Sequence, residues 1–258
     1  MRKSKRQNSL FDSVFFSCYL IIKRICVFAS LSRQNIPYGK DHGYIPRQTK
    51  KQKTALLAVE KLKERYPEGI CSLEYGDALQ LLIATRLSAQ CTDARVNLVT
   101  PALFERFPTL DAFADASPEE VGTYIRSCGL YKTKARDIVA MANALRENYG
   151  GVIPNTVEEM VKLPGVGRKT ANLVCGDVYG VPGVVVADTH CIRITNRLGL
   201  TDSKDPYKVE LQLRELLPPE ESNAFCHRLV LFGREICDAR SPKCADCPLR
   251  TFCPSAPK

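Results

Sequence analysis

Leu163-Pro164-Gly165-Val166-Gly167-Arg168-Lys169-Thr170-Ala171, residues 163–171, decides how this chain folds. Two glycines flank a single valine, so the backbone can turn more sharply than residues with a Cβ allow. Main-chain N–H groups in such a turn are open to direct approach by an anion. The helix predicted to follow points its N-terminus, the positive end of its dipole, at the same place. Leu163 and Val166 are expected to tuck beneath the turn and hold the flanking helices together. A plain helix corner, using glycine only for its φ > 0, is the other reading of the same stretch.

Outward from the turn, helix signals follow one another with short breaks. Upstream, Leu56, Val59, Leu62 and Tyr66 recur at helical spacing before Pro67. Asp77 opens an apolar helix, ALQLLIATRLSA, and Thr92 caps one that reaches Phe107. Ser117-Pro118-Glu119-Glu120 is a helix start, 133–149 ends in Gly150-Gly151, and Thr156 with Glu159 forms a capping box. Downstream, helices are predicted over 169–178, 189–198, 207–217 and 221–236. Only 184–187 (Val-Val-Val-Ala) looks β-like, and one short run builds no sheet. The fold class is all-α. No period of 20–50 residues recurs, which excludes a solenoid.

The 258 residues are 45% apolar and 25% charged, enough for a packed core and unlike disordered or collagen-like chains. Residues 1–53 hold 12 of the 37 Lys and Arg and two of the 28 Asp and Glu, so the formal +9 belongs to this segment alone. Net charge therefore makes no case for a nucleic-acid partner in the remainder. Residues 10–31 are apolar after a basic run, but Lys23 and Arg24 interrupt them, and the clean part is too short to cross a bilayer. Residues 1–53 read as a basic, weakly ordered extension, with 32–53 a linker. Twelve cysteines do not look like a disulfide framework: eight sit singly, several in helical patterns. A reducing cytosol fits better.

Three features carry chemistry. Lys169 stands at a helix N-terminus beside Arg168; positive potential there favours a neutral amine able to form a Schiff base with a sugar carbon. Its plainer role is another phosphate contact. Asp188 reads first as a helix N-cap, and a carboxylate so held can also face a cleft and assist proton transfers. Cys237-x6-Cys244-x2-Cys247-x5-Cys253 sets four soft ligands within 17 residues, suited to zinc or to an iron–sulfur cluster. One close pair with wider arms, and Pro248 and Pro254 beyond two ligands, favour the cluster. Neither His190 nor His227 is expected to have metal-ligand companions.

LPGVGRKTA followed by VADTH (186–190) resembles the endonuclease III family of DNA glycosylase/AP lyases, within the helix-hairpin-helix glycosylase superfamily. The likeness runs from about residue 54 to 254 and includes LLIATRLSAQCTDARVN (81–97), YIRSCGLYKTKA (124–135) and the four cysteines. It implies two helical domains flanking a DNA cleft: a six-helix domain at 71–182 with the hairpin at about 157–176, and a cluster domain of 54–70 with 183–258. By the same likeness Lys169 is the nucleophile, Asp188 the catalytic carboxylate, and Cys237, Cys244, Cys247 and Cys253 hold a [4Fe-4S] cluster. Gln90 and Leu130 match residues that fill the gap left by an everted nucleotide. Leu163, Gly165, Val166, Gly167 and Arg168 would meet a phosphate, and Arg240 and Lys243 the DNA backbone. The plainer alternatives are a helix-end polar residue for Gln90, a packing leucine for Leu130 and solvated loop charges for the last two.

The run before Asp188 is one residue longer than the family's commonest pattern, an excess that a surface bulge could absorb. The implied activity is excision of oxidised pyrimidines from duplex DNA and β-elimination at the abasic site. The alternatives are a monofunctional relative resembling an adenine glycosylase, which carries another residue in place of Lys169, and a non-enzymatic iron–sulfur DNA-binding module. Damaged duplex DNA is the expected partner. No obligate protein partner and no membrane are expected, and the protein would be a cytoplasmic, nucleoid-associated bacterial monomer.

Overall fold

Eight of the eleven α-helices among the described residues start on a side chain that accepts a hydrogen bond from the first turn. The computed structural model describes residues 48–257, so the apolar stretch at 10–31 and the basic run before it lie outside them. The capped helices are α1 (Lys50–Arg65, Thr49), α2 (Ala78–Ser88, Asp77), α3 (Asp93–Arg106, Thr92), α4 (Leu110–Ala114, Thr109) and α5 (Pro118–Tyr124, Ser117). Then come α7 (Val157–Met160, Thr156), α9 (Thr189–Arg197, Asp188) and α10 (Pro206–Arg214, Asp205). Three have no side-chain cap: α6 (Tyr131–Tyr149), α8 (Arg168–Asp177) and α11 (Ser222–Glu235).

The fold is all-α, and among the described residues there is no strand. The apolar helix α2 is the centre, with Leu81, Leu82, Ile83, Ala84 and Leu87 fully buried. Helices α3, α6 and α8 pack around it, while α4 and α5 lie on α6. Helix α11 gathers α1, α8 and α9, so the first and last helices of the described chain are neighbours.

The structure corrects three local expectations. Helix α1 begins at Lys50 on a complete capping box of Thr49 and Gln52, so residues 50–53 belong to it rather than to a linker. Helix α6 begins at Tyr131 rather than at 133. Residues 184–187 form no strand; all four are buried, and Asp188 N–H turns back to the Val186 carbonyl at 2.9 Å. That run is therefore no surface bulge. The exposed turn just before it has left-handed Gly180 (φ 60) and Gly183 (φ 76), with Gly183 N–H on Pro219 O at 2.8 Å.

Arg228, its side chain 4% exposed, ties the end of α1 to α11. It donates to Tyr66 O (3.0 Å), Pro67 O (3.2 Å) and Glu221 Oε2 (3.0 Å). Lys63 and then Arg228 hold the Glu221 carboxyl below the ordinary carboxylate range. Arg228→Met is expected to cost roughly 3 kcal/mol in urea unfolding, since it leaves two carbonyls without their donor and the half-buried Glu221 carboxylate with Lys63 alone. Because the Glu221 pKa is depressed on folding, its contribution is complete above the unfolded carboxylate pKa and fades as pH falls through the folded value. The gap between wild type and Arg228→Met should therefore narrow in acid.

Candidate active site and metal centre

The hairpin is built on one left-handed residue. Gly165 has φ 72, and a Cβ there would fall 2.8 Å from Asp137 Cβ and 3.1 Å from Arg86 Nε. Asp137 and Arg86 are themselves paired (Nε to Oδ2, 2.9 Å), joining α6 to α2 beneath the turn. Val166 N–H closes the turn on Leu163 O at 3.1 Å, and both side chains are buried as expected. Leu163 and Val166 therefore support the turn and offer a ligand only backbone. Gly167 differs: its φ is −91 and a Cβ would meet nothing within 4 Å. Neither torsion nor packing demands glycine there, and its bare backbone leaves the uncapped first turn of α8 open to approach.

Arg168 lies on that turn but does not point its charge at Lys169. Its guanidinium is bidentate to Glu210 (Nε–Oε2 and Nη2–Oε1, both 2.8 Å) and stacks on Tyr207 at 4.6 Å. The Glu210 carboxylate is buried and also takes Arg214 (2.8 Å) and Asn172 (2.9 Å). The pair thus binds α8 to α10, a tie across 42 residues that the sequence does not announce.

Lys169 and Asp188 line one cleft of about 200 Å³, together with Thr85 and Ser88 of α2, His190 of α9, and His227 and Arg234 of α11. Lys169 is exposed on the first turn of α8. Asp188 caps α9, accepting from Cys191 N–H at 2.7 Å, which holds its carboxylate in place. Burial lowers the His190 pKa below the usual histidine value, which favours the neutral ring. A fixed carboxylate, a primary amine and a neutral imidazole in one half-enclosed space can support nucleophilic attack with proton transfer.

Gln90 and Leu130 are the only non-glycine residues among those described with positive φ, at 54 and 46. Both are exposed, Leu130 by 61%. Left-handed backbone under a side chain costs roughly 1–3 kcal/mol and concentrates at functional sites.

His227 does have ligand-type company, contrary to expectation. Its Nε2 meets Asp177 Oδ1 at 2.8 Å, Asn223 Nδ2 donates to the same oxygen at 2.6 Å, and donor atoms of Cys71, Asp177 and His227 lie within 4.8 Å of one another. The His–Asp–Asn bonds brace α8 against α11, and burial pushes the Cys71 thiol up to about 12.

Cys237, Cys244, Cys247 and Cys253 line a single cavity of about 210 Å³ walled by Ile194, Leu198, Phe232, Ile236 and Leu249. No disulfide joins them. Arg197 clamps the loop, donating to Cys237 Sγ (3.3 Å), Asp238 O (2.7 Å) and Ala239 O (2.8 Å). Four free thiols around an apolar space, one of them held by a cation, fit a thiolate-ligated cluster. Arg240 and Lys243 are exposed on the same loop, whose backbone turns on Asp238 Oδ1. Sequence reasoning missed Arg197: its last-turn position on α9 reads as a helix-dipole cation.

Residues 83–219 match the family described as HhH-GPD superfamily base excision DNA repair protein, and residues 237–253 match the iron-sulfur binding domain of endonuclease III. Endonuclease III of Synechocystis is 44% identical over 209 residues, 81% of this chain and 94% of that protein. Endonuclease III of Escherichia coli is 38% identical over 198 residues, 77% of this chain and 93% of that protein. A solved endonuclease III–DNA covalent intermediate, trapped as an estranged-adenine complex, is 40% identical with a TM-score of 0.75, covering 81% of this chain and 97% of that one. A thermostable thymine-DNA glycosylase shares the fold at TM-score 0.70 and 22% identity, over 80% of this chain and 96% of that one.

Cys244→Ser is expected to remove most bound iron, sulfide and soluble protein, whereas Cys175→Ser, a buried thiol remote from the loop, should keep all three. Arg197→Ala should retain the metal but surrender it to a chelator several-fold faster. Iron retention in Cys244→Ser equal to wild type would remove that cysteine from the ligand set.

Proposed function

The chain belongs to the endonuclease III family of base-excision repair proteins, and from that premise we propose how its cleft removes a base and then cuts the strand. The protein is a DNA glycosylase and DNA-(apurinic or apyrimidinic site) lyase that carries a [4Fe-4S] cluster. Its substrates are oxidised pyrimidines in duplex DNA. The damaged nucleotide turns out of the stack into the cleft. Gln90 and Leu130 fill the gap, and their strained, exposed backbones support this role. The open first turn of α8, with backbone at Gly165 and Gly167, receives a phosphate. Arg240 and Lys243 flank the DNA from the cysteine loop, while Arg168, held by Glu210, keeps α8 in place.

Neutral Lys169 Nζ attacks the anomeric carbon, the glycosidic bond breaks, and the base leaves with a proton. The C1′–O4′ bond then breaks, O4′ takes up a proton, and the amine nitrogen and C1′ form a Schiff base. Loss of a C2′ proton drives cleavage of the C3′–O bond, and the 3′ phosphate departs. Asp188 supports the developing positive charge and the proton transfers. The observation that carries this reading is one cleft shared by Lys169, on an uncapped helix end, and Asp188, held by its cap. A monofunctional relative would lack the amine.

Cys237, Cys244, Cys247 and Cys253 would hold the cluster, which when bound cross-links a loop whose only regular structure is two 3-10 turns. Residues 71–182 form the hairpin domain, and 50–70 with 183–257 the cluster domain; the packing of α1 and α9 on α11 supports that division. The protein acts as a cytoplasmic, nucleoid-associated monomer. Among the described residues no helix is long and apolar enough to cross a membrane.

Lys169→Gln should abolish strand cleavage at a thymine glycol while changing affinity for the lesion duplex less than about tenfold. Cleavage at the wild-type rate would remove Lys169 from the chemistry. Asp188→Asn should slow single-turnover base release by about 10²–10⁴. An unchanged rate would leave Asp188 as a helix cap only.

A further inference from the structure

Lys134 is completely buried on α6, and its ammonium has no carboxylate partner among the described residues. It donates instead to two main-chain carbonyls, Leu87 O at 2.8 Å and Cys128 O at 2.6 Å. These carbonyls belong to different segments of the chain. Leu87 lies in the last turn of α2, three residues before Gln90; Cys128 lies two residues before Leu130. One ammonium therefore staples together the roots of the two segments whose tips are the only left-handed non-glycine residues described.

A buried charge is costly, and a methionine of similar length would fill the same space without that cost. Burial accordingly lowers the Lys134 pKa. What methionine could not supply is two N–H donors reaching carbonyls on separate segments, the end of α2 and the 3-10 turn at Arg126–Cys128. Holding Gln90 and Leu130 in strained backbone requires surroundings that over-determine them, and this cross-link does so from below.

We propose that Lys134 is a positioning residue that sets the spacing between the Gln90 and Leu130 tips, so that both enter the duplex together at the everted nucleotide. The inference rests on the reading of Gln90 and Leu130 as gap-filling residues. Lys134 touches neither substrate nor the reacting atoms.

The test uses full-length protein and a duplex with thymine glycol opposite 2-aminopurine, whose fluorescence rises when it is unstacked. Stopped-flow fluorescence reports insertion, and quenched-flow sampling reports base release. Lys134→Met should lose the fluorescence rise and slow base release by about 10²-fold, the cost of a roughly 1 Å misplacement, while binding the duplex within about tenfold of wild type. Lys134→Arg, which keeps donors at the end of a long side chain, should restore most of both signals. If Lys134→Met does not accumulate as soluble protein, Lys134→Gln, which retains donor capacity for one carbonyl, carries the comparison. Lys134→Met, or Lys134→Gln in its place, with the full wild-type fluorescence rise overturns the proposal, whether its base release is normal or slow. Leu130→Ala with a full fluorescence rise would overturn the gap-filling reading instead, so the two failures are distinguishable.

Discussion

The hairpin rests on the close approach of Gly165 to the Arg86–Asp137 ion pair. Only a residue without a Cβ can lie in left-handed backbone against those two side chains. With Gly165 seated there, Leu163 and Val166 turn inward, the chain reverses, and α8 starts with its first turn bare. Lys169 then stands on that turn and lines the cleft that Asp188 borders from the cap of α9. A larger residue at 165 would lift the turn from α2 and α6 and displace the amine from the carboxylate.

Buried charges do the long-range tying in this fold, and each joins elements far apart in sequence. Glu210 holds α8 to α10 through Arg168, Arg228 holds the end of α1 to α11, and Asp177 holds α8 to α11 through His227 and Asn223. Lys134 does the same for the end of α2 and the 3-10 turn before α6, with carbonyls as its partners. Such ties add little net stability over apolar packing, but breaking one strands a charge or polar group and is costly. They therefore favour one arrangement of helices, which is what a cleft assembled from α2, α8, α9 and α11 requires.

Local features were legible in the sequence because local physics governs them. Ser117, Thr92 and Asp77 cap the helices they were expected to cap, Gly150 is left-handed at the end of α6, and Leu163 and Val166 are buried. The cysteine spacing points to four soft ligands, and the four thiols line one cavity. What escaped were pairings set by tertiary packing. Arg168 reads as a free cation until Glu210 is placed beside it, and nothing in the sequence sets Lys134 apart before α6 buries it. The 184–187 run has β-like composition but no strand partner among the described residues, so it crosses the core as irregular chain.

The central claim is that Lys169 Nζ forms the covalent bond to DNA. Borohydride reduction during turnover on a thymine-glycol duplex, followed by protease and nuclease digestion and mass spectrometry of the linked peptide, tests it directly. A sugar remnant is expected on the peptide containing Lys169 and on no other. A remnant on a different lysine or on the N-terminal amine, with the Lys169 peptide unmodified, would contradict it.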